Sequence, residues 1–291
     1  MSEQSRGDRA STAFVPGHVT GFFSPYPDDD PVRAGSRGAG LTLSDGVRVT
    51  VRPAEADADR RVTLDGDPLS MPPVETVLDA LSVEGVRVVA DSDLPLGTGF
   101  GVSGAMALGT ALAANDCFGC GRTENELVTL AHRAEVRAGT GLGDVVAQAR
   151  GGVPIRLDPG APAHGRLDGV PDRASVEYLT FGDLSTADVL AGDIDPIVRA
   201  GETALSQLVD RPTLPELVAA SRAFAGETGL LTDRLSDVLD AVADAGGAAS
   251  MVMLGETAFA LDEGLSAAGF DATSCRICDA GAHLVTGVDE S

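Results

Sequence analysis

From Asp93 to Asn115 the chain reads DLPLGTGFGVSGAMALGTALAAN, a run of closely spaced glycines and a serine set directly ahead of a long apolar stretch. Two chemistries use such a loop. Gly99, Gly101 and Gly104 spell G-x-G-x-x-G, the dinucleotide fingerprint, which needs a strand ending at its first glycine and an acidic residue about 20 positions on. Pro95, Gly97, Gly99, Gly101 and Ser103 spell instead a loop that wraps a nucleoside triphosphate. There, unpaired backbone N–H groups converge at a helix N-terminus whose dipole adds positive potential. Glycine lets the backbone approach the phosphates and take positive φ. The residues concerned are Pro95, Gly97, Thr98, Gly99, Gly101, Val102, Ser103 and Gly104. Ser103, in the first helical turn, can direct its hydroxyl to a magnesium ion between phosphates. A loop that merely packs tightly is the plainer alternative.

The elements around the loop choose between these. The preceding strand, VEGVRVVADSDLP, ends near Ala90, too far from Gly99 for the dinucleotide turn, and no acidic strand end follows. Val102 to Phe118 is small and apolar almost all round, which predicts a buried helix. Thr123 and Glu126 form a T-x-x-E capping box, and Leu127, Leu130, Ala131, Ala134 and Ala138 continue one inward stripe until Gly139 and Gly141. GLGDVVAQARGGVPIRL reads as a short helix and a strand. Upstream, STAFVPGHVTGFFSP offers apolar segments broken at Pro16-Gly17. GSRGAGLTLSDGVRVTVRP reads as two strands turned at Asp45-Gly46, so everything before the loop is expected to be strands joined by hairpins. The first ten residues read as a loose tail.

The Pro/Gly-rich, charged segment DPGAPAHGRLDGVPDRA marks a domain boundary, giving units 11–170 and 171–291. The second begins with the strand SVEYLTFGDL. Helices follow through Val242, one started by Thr213 with Pro215 in its first turn. GGAASMVMLGETAFALD then doubles back at Gly255-Glu256, and GFDATSCRICDAGAHLV closes the chain as strand.

The chain has 291 residues, 43% of them hydrophobic, enough for one large or two ordinary cores. No apolar stretch approaches the roughly 20 residues of a membrane span. MSEQSRGDRASTAF carries no signal-like apolar run, so a cytoplasmic protein is expected. The formal net charge is −23, from 44 acidic and 21 basic residues, and every basic residue is arginine. Such a chain repels nucleic acid and anionic membranes. It suits a salt-rich cytoplasm, where the mutual repulsion of carboxylates is screened. The absence of lysine excludes a Walker-type G-x-x-x-x-G-K-[ST] loop. Cys117/Cys120 and Cys275/Cys278 form two C-x-x-C pairs, too far apart for a zinc ribbon, and read as buried thiols.

The segment Pro95-Leu96-Gly97-Thr98-Gly99-Phe100-Gly101-Val102-Ser103-Gly104-Ala105 resembles the phosphate loop P-x-G-x-G-L-G-S-S-A of the GHMP small-molecule kinases, with Phe100 for Leu and Val102 for the first Ser. Pro16-Gly17-His18 is similar to that family's P-G-[KR] element. Glu135 and Gly141-Leu142-Gly143-Asp144 are similar to its helix glutamate and S-G-x-D aspartate. Its third motif, G-x-G-G-G, is matched only by GGAASMVMLGET. Within the family, VTGFFSP, GSRGAG, LPLGTGFGVSGA, AHRAEVRAGTGLGDVVAQARGGVPIR and SMVMLGET are similar, in order, to the archaeal pantoate kinases, a subgroup with a weak third motif. The similarity spans about residues 11–285.

The resemblance implies an α+β fold, the GHMP kinase fold, with a ribosomal-S5-like N-terminal half, a ferredoxin-like C-terminal half and a site in the cleft between them. It implies ATP as donor, Mg2+ held by Ser103 and Glu135, and Asp144 receiving or orienting the proton of the acceptor hydroxyl. It implies pantoate as acceptor, whose carboxylate a guanidinium should meet. Arg156 is the first choice, Arg37 the second, and His132, one turn before Glu135, is expected to line the site. Thr20, Ser24 and Ser36 lie in segments on the acceptor side. Plainer roles stand beside these: a solvated helix carboxylate for Glu135, a helix N-cap for Asp144, a surface ion pair for Arg37 and a packed histidine for His132. A different alcohol (homoserine, mevalonate, shikimate or a sugar), a non-catalytic sensor on the same fold, and a homodimer all remain open.

Overall fold

The computed structural model describes residues 10–55, 60–183 and 194–285, so nearly all of the expected N-terminal tail lies outside the described residues. β1 (Ser11–Tyr26) and β2 (Gly35–Pro53) form one long antiparallel pair, from Ser11 opposite Val51 to Tyr26 opposite Gly35. Neither strand breaks where the sequence suggests. The Asp45-Gly46 pair is not a turn: Gly46 lies extended opposite Pro16, and a Cβ there would stand 2.4 Å from the Val15 carbonyl oxygen. Pro16 and Gly17 are absorbed by a register shift between Pro16 and His18, the kind of irregularity at which a strand tolerates proline.

β3 (Arg61–Leu64), β4 (Asp67–Pro68), α1 (Pro72–Ala80) and β5 (Val86–Ser92) follow. Here a hairpin reading fails, because β3 pairs with β5 in parallel and α1 is the crossover between them. Pro72 and Pro73 start this helix, occupying first-turn positions where no backbone N–H is needed. β5 pairs with the C-terminal half of β2, while β6 (Val153–Asp158) pairs with its N-terminal half and with β7 (Arg166–Val170).

Against this sheet pack α2 (Val102–Phe118) and α4 (Asp144–Arg150), with α3 (Glu124–Ala138) stacked on α1, α2 and α4. α2 has the bounds its composition predicts, and Gly109 lets it approach β2, since a Cβ there would meet Val49 at 2.5 Å. The Thr123/Glu126 capping box is present at the start of α3. Leu127, Ala131 and Ala134 are buried and Leu130 half-buried, whereas Ala138 is exposed at the end of the stripe.

A second sheet holds β8 (Ser175–Asp183), β9 (Ala249–Val252), β10 (Gly255–Leu261) and β11 (Thr273–Arg276), with α5 (Asp195–Asp210), α6 (Leu214–Thr228), α7 (Asp233–Asp244) and α8 (Gly264–Ala267). Its spatial order, β11-β8-β10-β9, is 4-1-3-2 in chain order, the ferredoxin-like arrangement. Thr213 caps α6 with Pro215 in the first turn. The β9–β10 reversal falls at Met253–Leu254, two residues before the expected Gly255-Glu256, with Leu254 at φ +67°. Gly255 then packs on the glycine loop ahead of α2, where a Cβ would stand 1.9 Å from the Thr98 carbonyl oxygen.

The chain finally returns to the first sheet. Ile277 bridges Leu43, the Cys278 N–H donates to the Thr42 carbonyl at 2.9 Å, and β12 (His283–Leu284) pairs with β1. One continuous apolar core runs through both sheets. Burial pushes the Cys117 thiol up to about 11 and the Cys275 thiol up to about 12, which keeps both protonated and chemically quiet.

Candidate active site

A cleft of about 530 Å³ opens between the phosphate loop, the ends of α3 and α4, and the β9–β10 turn. Gly97, Gly99, Gly101, Val102 and Ser103 form one wall. Gly97, Gly99 and Gly101 take φ of +86°, +94° and +67°, which explains three of the glycines directly. Gly101 is also the N-cap of α2 and makes no side-chain cap bond. Its carbonyl accepts the Ala105 N–H at 2.9 Å, so the three N–H groups before Ala105 have no partner within the helix. The remaining loop residues look elsewhere. The Thr98 hydroxyl donates to the Pro95 carbonyl, the Thr98 carbonyl accepts from the Thr257 hydroxyl, and Gly104 faces Gln148.

Opposite this wall stand two carboxylates. The Ser103 hydroxyl donates to Glu135 Oε1 at 2.6 Å. Burial pushes Glu135 up to about 7; the Ser103 hydrogen bond opposes this and the charge of Asp144 adds to it. Glu135 is therefore not a solvated helix residue. Asp144 is the first residue of α4, not its cap: Gly143 occupies the cap position. Gly141 permits both carboxylates to share this corner, since a Cβ there would lie 2.8 Å from Glu135 Oε2 and 3.4 Å from Asp144 Oδ2.

His18 Nδ1–H donates to Asp144 Oδ1 at 2.7 Å, and Thr20 Oγ1 lies 3.5 Å from the same oxygen. Burial works against the Asp144 charge, but the hydrogen bond and charge interaction with His18 and the charge of Arg156 outweigh it, holding the carboxyl below its usual range. Burial pulls His18 down, and its hydrogen bond and charge interaction with Asp144 oppose that. The side chain of Asp144 stays 22% exposed, into the cleft. An ionised carboxylate thus faces the space beside the phosphate loop, with one oxygen held by a buried ring.

Arg156 lies behind the carboxylates on β6 and is 2% exposed. Its Nε and Nη1 have no hydrogen-bond partner among the described residues. Gly143 makes room for it: a Cβ there would stand 2.6 Å from Arg156 Nε and from Ser36 Oγ. A buried guanidinium with idle donors is costly, and an incoming anion would relieve that cost.

The other two acceptor-side candidates take different places. Arg37 alternates away from Ser36 along β2, so its head pairs with Glu202 on α5 and its Nε donates to the Leu157 carbonyl at 2.8 Å. It is an inter-element ion pair rather than a neighbour of Arg156. His132 is buried and its Nε2–H donates to the Ala34 carbonyl at 2.9 Å, which ties α3 to the start of β2; it borders a small cavity shared with Glu135 and Asp144. Ser24 donates to the Val198 carbonyl. His18 is the residue sequence reasoning undervalued. It stood in a matched motif, yet its contact spans 126 positions and no local spacing reveals it.

The sequence profile described as GHMP kinases N terminal domain matches residues 73–152, which hold the loop, Glu135 and Asp144. A pantoate kinase of Thermococcus kodakarensis is 37% identical over 263 residues, covering 86% of each chain. The chain belongs to the pantoate kinase family. A second member of the family, from Methanospirillum hungatei, is 36% identical over 258 residues, again covering 86% of each chain. A solved structure titled as a phosphotransferase related to the CoA biosynthesis pathway superposes with a TM-score of 0.86 at 32% identity, covering 96% of this chain and all of the other. The α+β GHMP kinase fold that the family resemblance implies is the fold observed. The weak third motif of this pantoate kinase family member is the β9–β10 turn, which reaches the loop by backbone packing at Gly255 in place of a glycine cluster.

Proposed function

We infer that the protein phosphorylates pantoate with ATP, yielding 4-phosphopantoate in coenzyme A biosynthesis. The observation that carries this is the juxtaposition, in one cleft, of a glycine loop with unpaired helix N–H groups and an ionised Asp144, behind which buried Arg156 keeps idle donors within charge range of that carboxylate. The loop amides from Gly97 to Gly104 receive the phosphates of ATP. Arg156 receives the pantoate carboxylate. The acceptor oxygen attacks the γ-phosphorus, the bond to ADP breaks, and Asp144 takes or orients the hydroxyl proton. Positioning and charge neutralisation supply most of the catalysis in such a transfer. His18 holds Asp144 in one rotamer and contributes the hydrogen bond that keeps it ionised. His132 positions the start of β2, and Arg37 joins β2 to α5.

Magnesium fits the residues present. Ser103 and Glu135 offer oxygen only, they already touch, and they adjoin the helix N-terminus. Mg2+ commonly takes one or two protein oxygens plus substrate phosphates, so a small protein set suffices. When bound, it neutralises charge developing on the phosphates. Because the raised Glu135 carboxyl titrates near neutrality in the metal-free protein, nucleotide-dependent Mg2+ binding at pH 6.5 is expected to release a proton. Calorimetry in buffers of different ionisation enthalpy would measure that release, and Glu135→Gln should abolish it.

An acceptor panel of pantoate, homoserine, mevalonate and shikimate, assayed for ADP formation, tests the assignment. Turnover of pantoate alone is expected; turnover only with another alcohol would sink it. A sensor would give no turnover with any of them.

The change of sheet between β7 and β8 supports a unit boundary near residue 170, while residues 277–285, assigned to the second unit, pair with the first sheet. The acid-rich, lysine-free surface supports an archaeal host with a salt-rich cytoplasm. Lowering the salt from molar to about 0.1 M is expected to lower Tm markedly, because the Debye length grows from about 3 to about 10 Å and surface carboxylates such as Asp28 to Asp30 repel over longer range. A Tm indifferent to salt would remove that account.

A further inference from the structure

We propose that Gln148 is a positioning residue for the phosphate loop, fixing the Gly101–Val102 peptide so that its N–H, and not its carbonyl, faces the nucleotide. This rests on reading the cleft as the triphosphate site. Gln148 lies one turn after Asp144 on α4 and is fully buried. Its side-chain Nε2–H donates to the Gly101 carbonyl at 2.9 Å. That oxygen also accepts the Ala105 N–H at 2.9 Å, so both of its lone pairs are in use.

The consequence follows from peptide planarity. In a trans peptide the carbonyl and the following N–H point in opposite directions. Holding the Gly101 oxygen inside the protein turns the Val102 N–H outward, and Val102 lines the cleft. Gly101 has no Cβ and sits at φ +67°, so its own backbone preferences offer little resistance to a rotated peptide. Rotation would aim a carbonyl oxygen at the phosphates and replace attraction by repulsion. One hydrogen bond from α2 and one from α4 prevent it.

The environment of Gln148 admits only the donating orientation. Its Oε1 is buried without a partner, and a Cβ on Gly104 would lie 3.1 Å from it. Turning the amide over would set Oε1 against the Gly101 oxygen. An unsatisfied buried oxygen is retained here because the other end of the amide is needed at the loop. Since α4 also carries Asp144, the same side chain keeps the loop and the carboxylate in a fixed relation.

ADP and adenosine differ only in the phosphates, so their affinities separate loop damage from general damage. Gln148→Leu, with similar volume and no donor, is expected to weaken ADP at least tenfold while leaving adenosine within twofold. In steady state KM for ATP should rise with KM for pantoate within twofold. Gln148→Glu, which presents an oxygen to the Gly101 oxygen, should weaken ADP at least as far. If Gln148→Leu fails to fold, Gln148→Met keeps the chain length and gives the same readout. Equal weakening of ADP and adenosine, or unchanged ADP affinity in a folded variant, would overturn the proposal. A wild-type protein that holds ADP no better than adenosine would remove the triphosphate reading itself.

Discussion

Asp144→Asn is expected to lower kcat about a thousandfold, within the range of a lost general acid–base group, while ADP affinity stays within about threefold. The substitution is close to isosteric. The asparagine carbonyl can still accept the His18 Nδ1–H that now holds Asp144 at 2.7 Å, so α4 keeps its anchor and the loop its geometry. What disappears is the charge and the basic oxygen facing the cleft. Steady-state rates at saturating ATP and pantoate, paired with ADP titration, measure the two effects separately. A variant that turns over at near wild-type rate would show that the hydroxyl proton leaves by another route. A lost ADP affinity would mean that the residue organises the phosphate site instead.

Arg156→Met is expected to raise KM for pantoate by about 30-fold or more, the scale of removing one partner from a buried charged contact. KM for ATP should barely move, since Arg156 does not line the phosphate loop wall. The same variant should unfold at an unchanged or higher temperature. In the protein without substrate the guanidinium is buried and lacks partners at Nε and Nη1, and a packed apolar side chain in place of a buried charge is often stabilising. Burial also depresses the Arg156 pKa, with the charge of Asp144 opposing it, a sign that the site bears the charge at a cost. Loss of acceptor binding with retained or gained stability is the pattern of a functional residue. Loss of both would mark Arg156 as structural, and a pantoate KM within threefold of wild type would end its role as the carboxylate receptor.

The parts of the site that the sequence made legible are those encoded by short spacing. The loop, α2 and the α3 capping box depend on residues within a few positions of one another, and each formed where the spacing put it. Ser103 and Glu135 could be paired only through a family resemblance, because their contact spans 32 positions. His18, Gln148 and the Met253–Leu254 turn reach the site by tertiary contacts of 126, 47 and 233 positions, beyond any local pattern. The errors have physical reasons. Asp45-Gly46 has the composition of a hairpin turn, but Gly46 is required by the close approach of Val15, a constraint that only the partner strand reveals. The expectation of strands alone before the loop misses α1, whose first turn holds Pro72 and Pro73. For Arg37 the parity of β2 decided: Ser36 faces Arg156, so its neighbour faces the other way.

The strand that closes the first sheet comes from the far end of the chain. Gly281 lies against the Ala149 carbonyl, where a Cβ would stand 2.4 Å away, and the Ala282 N–H donates to the Gln148 carbonyl at 2.9 Å. During synthesis the glycine loop and α4 therefore emerge well before the segment that braces α4. A nascent chain stalled in the second sheet would carry the loop without this brace, and competence to bind ATP is expected only after residues 281 and 282 leave the ribosome.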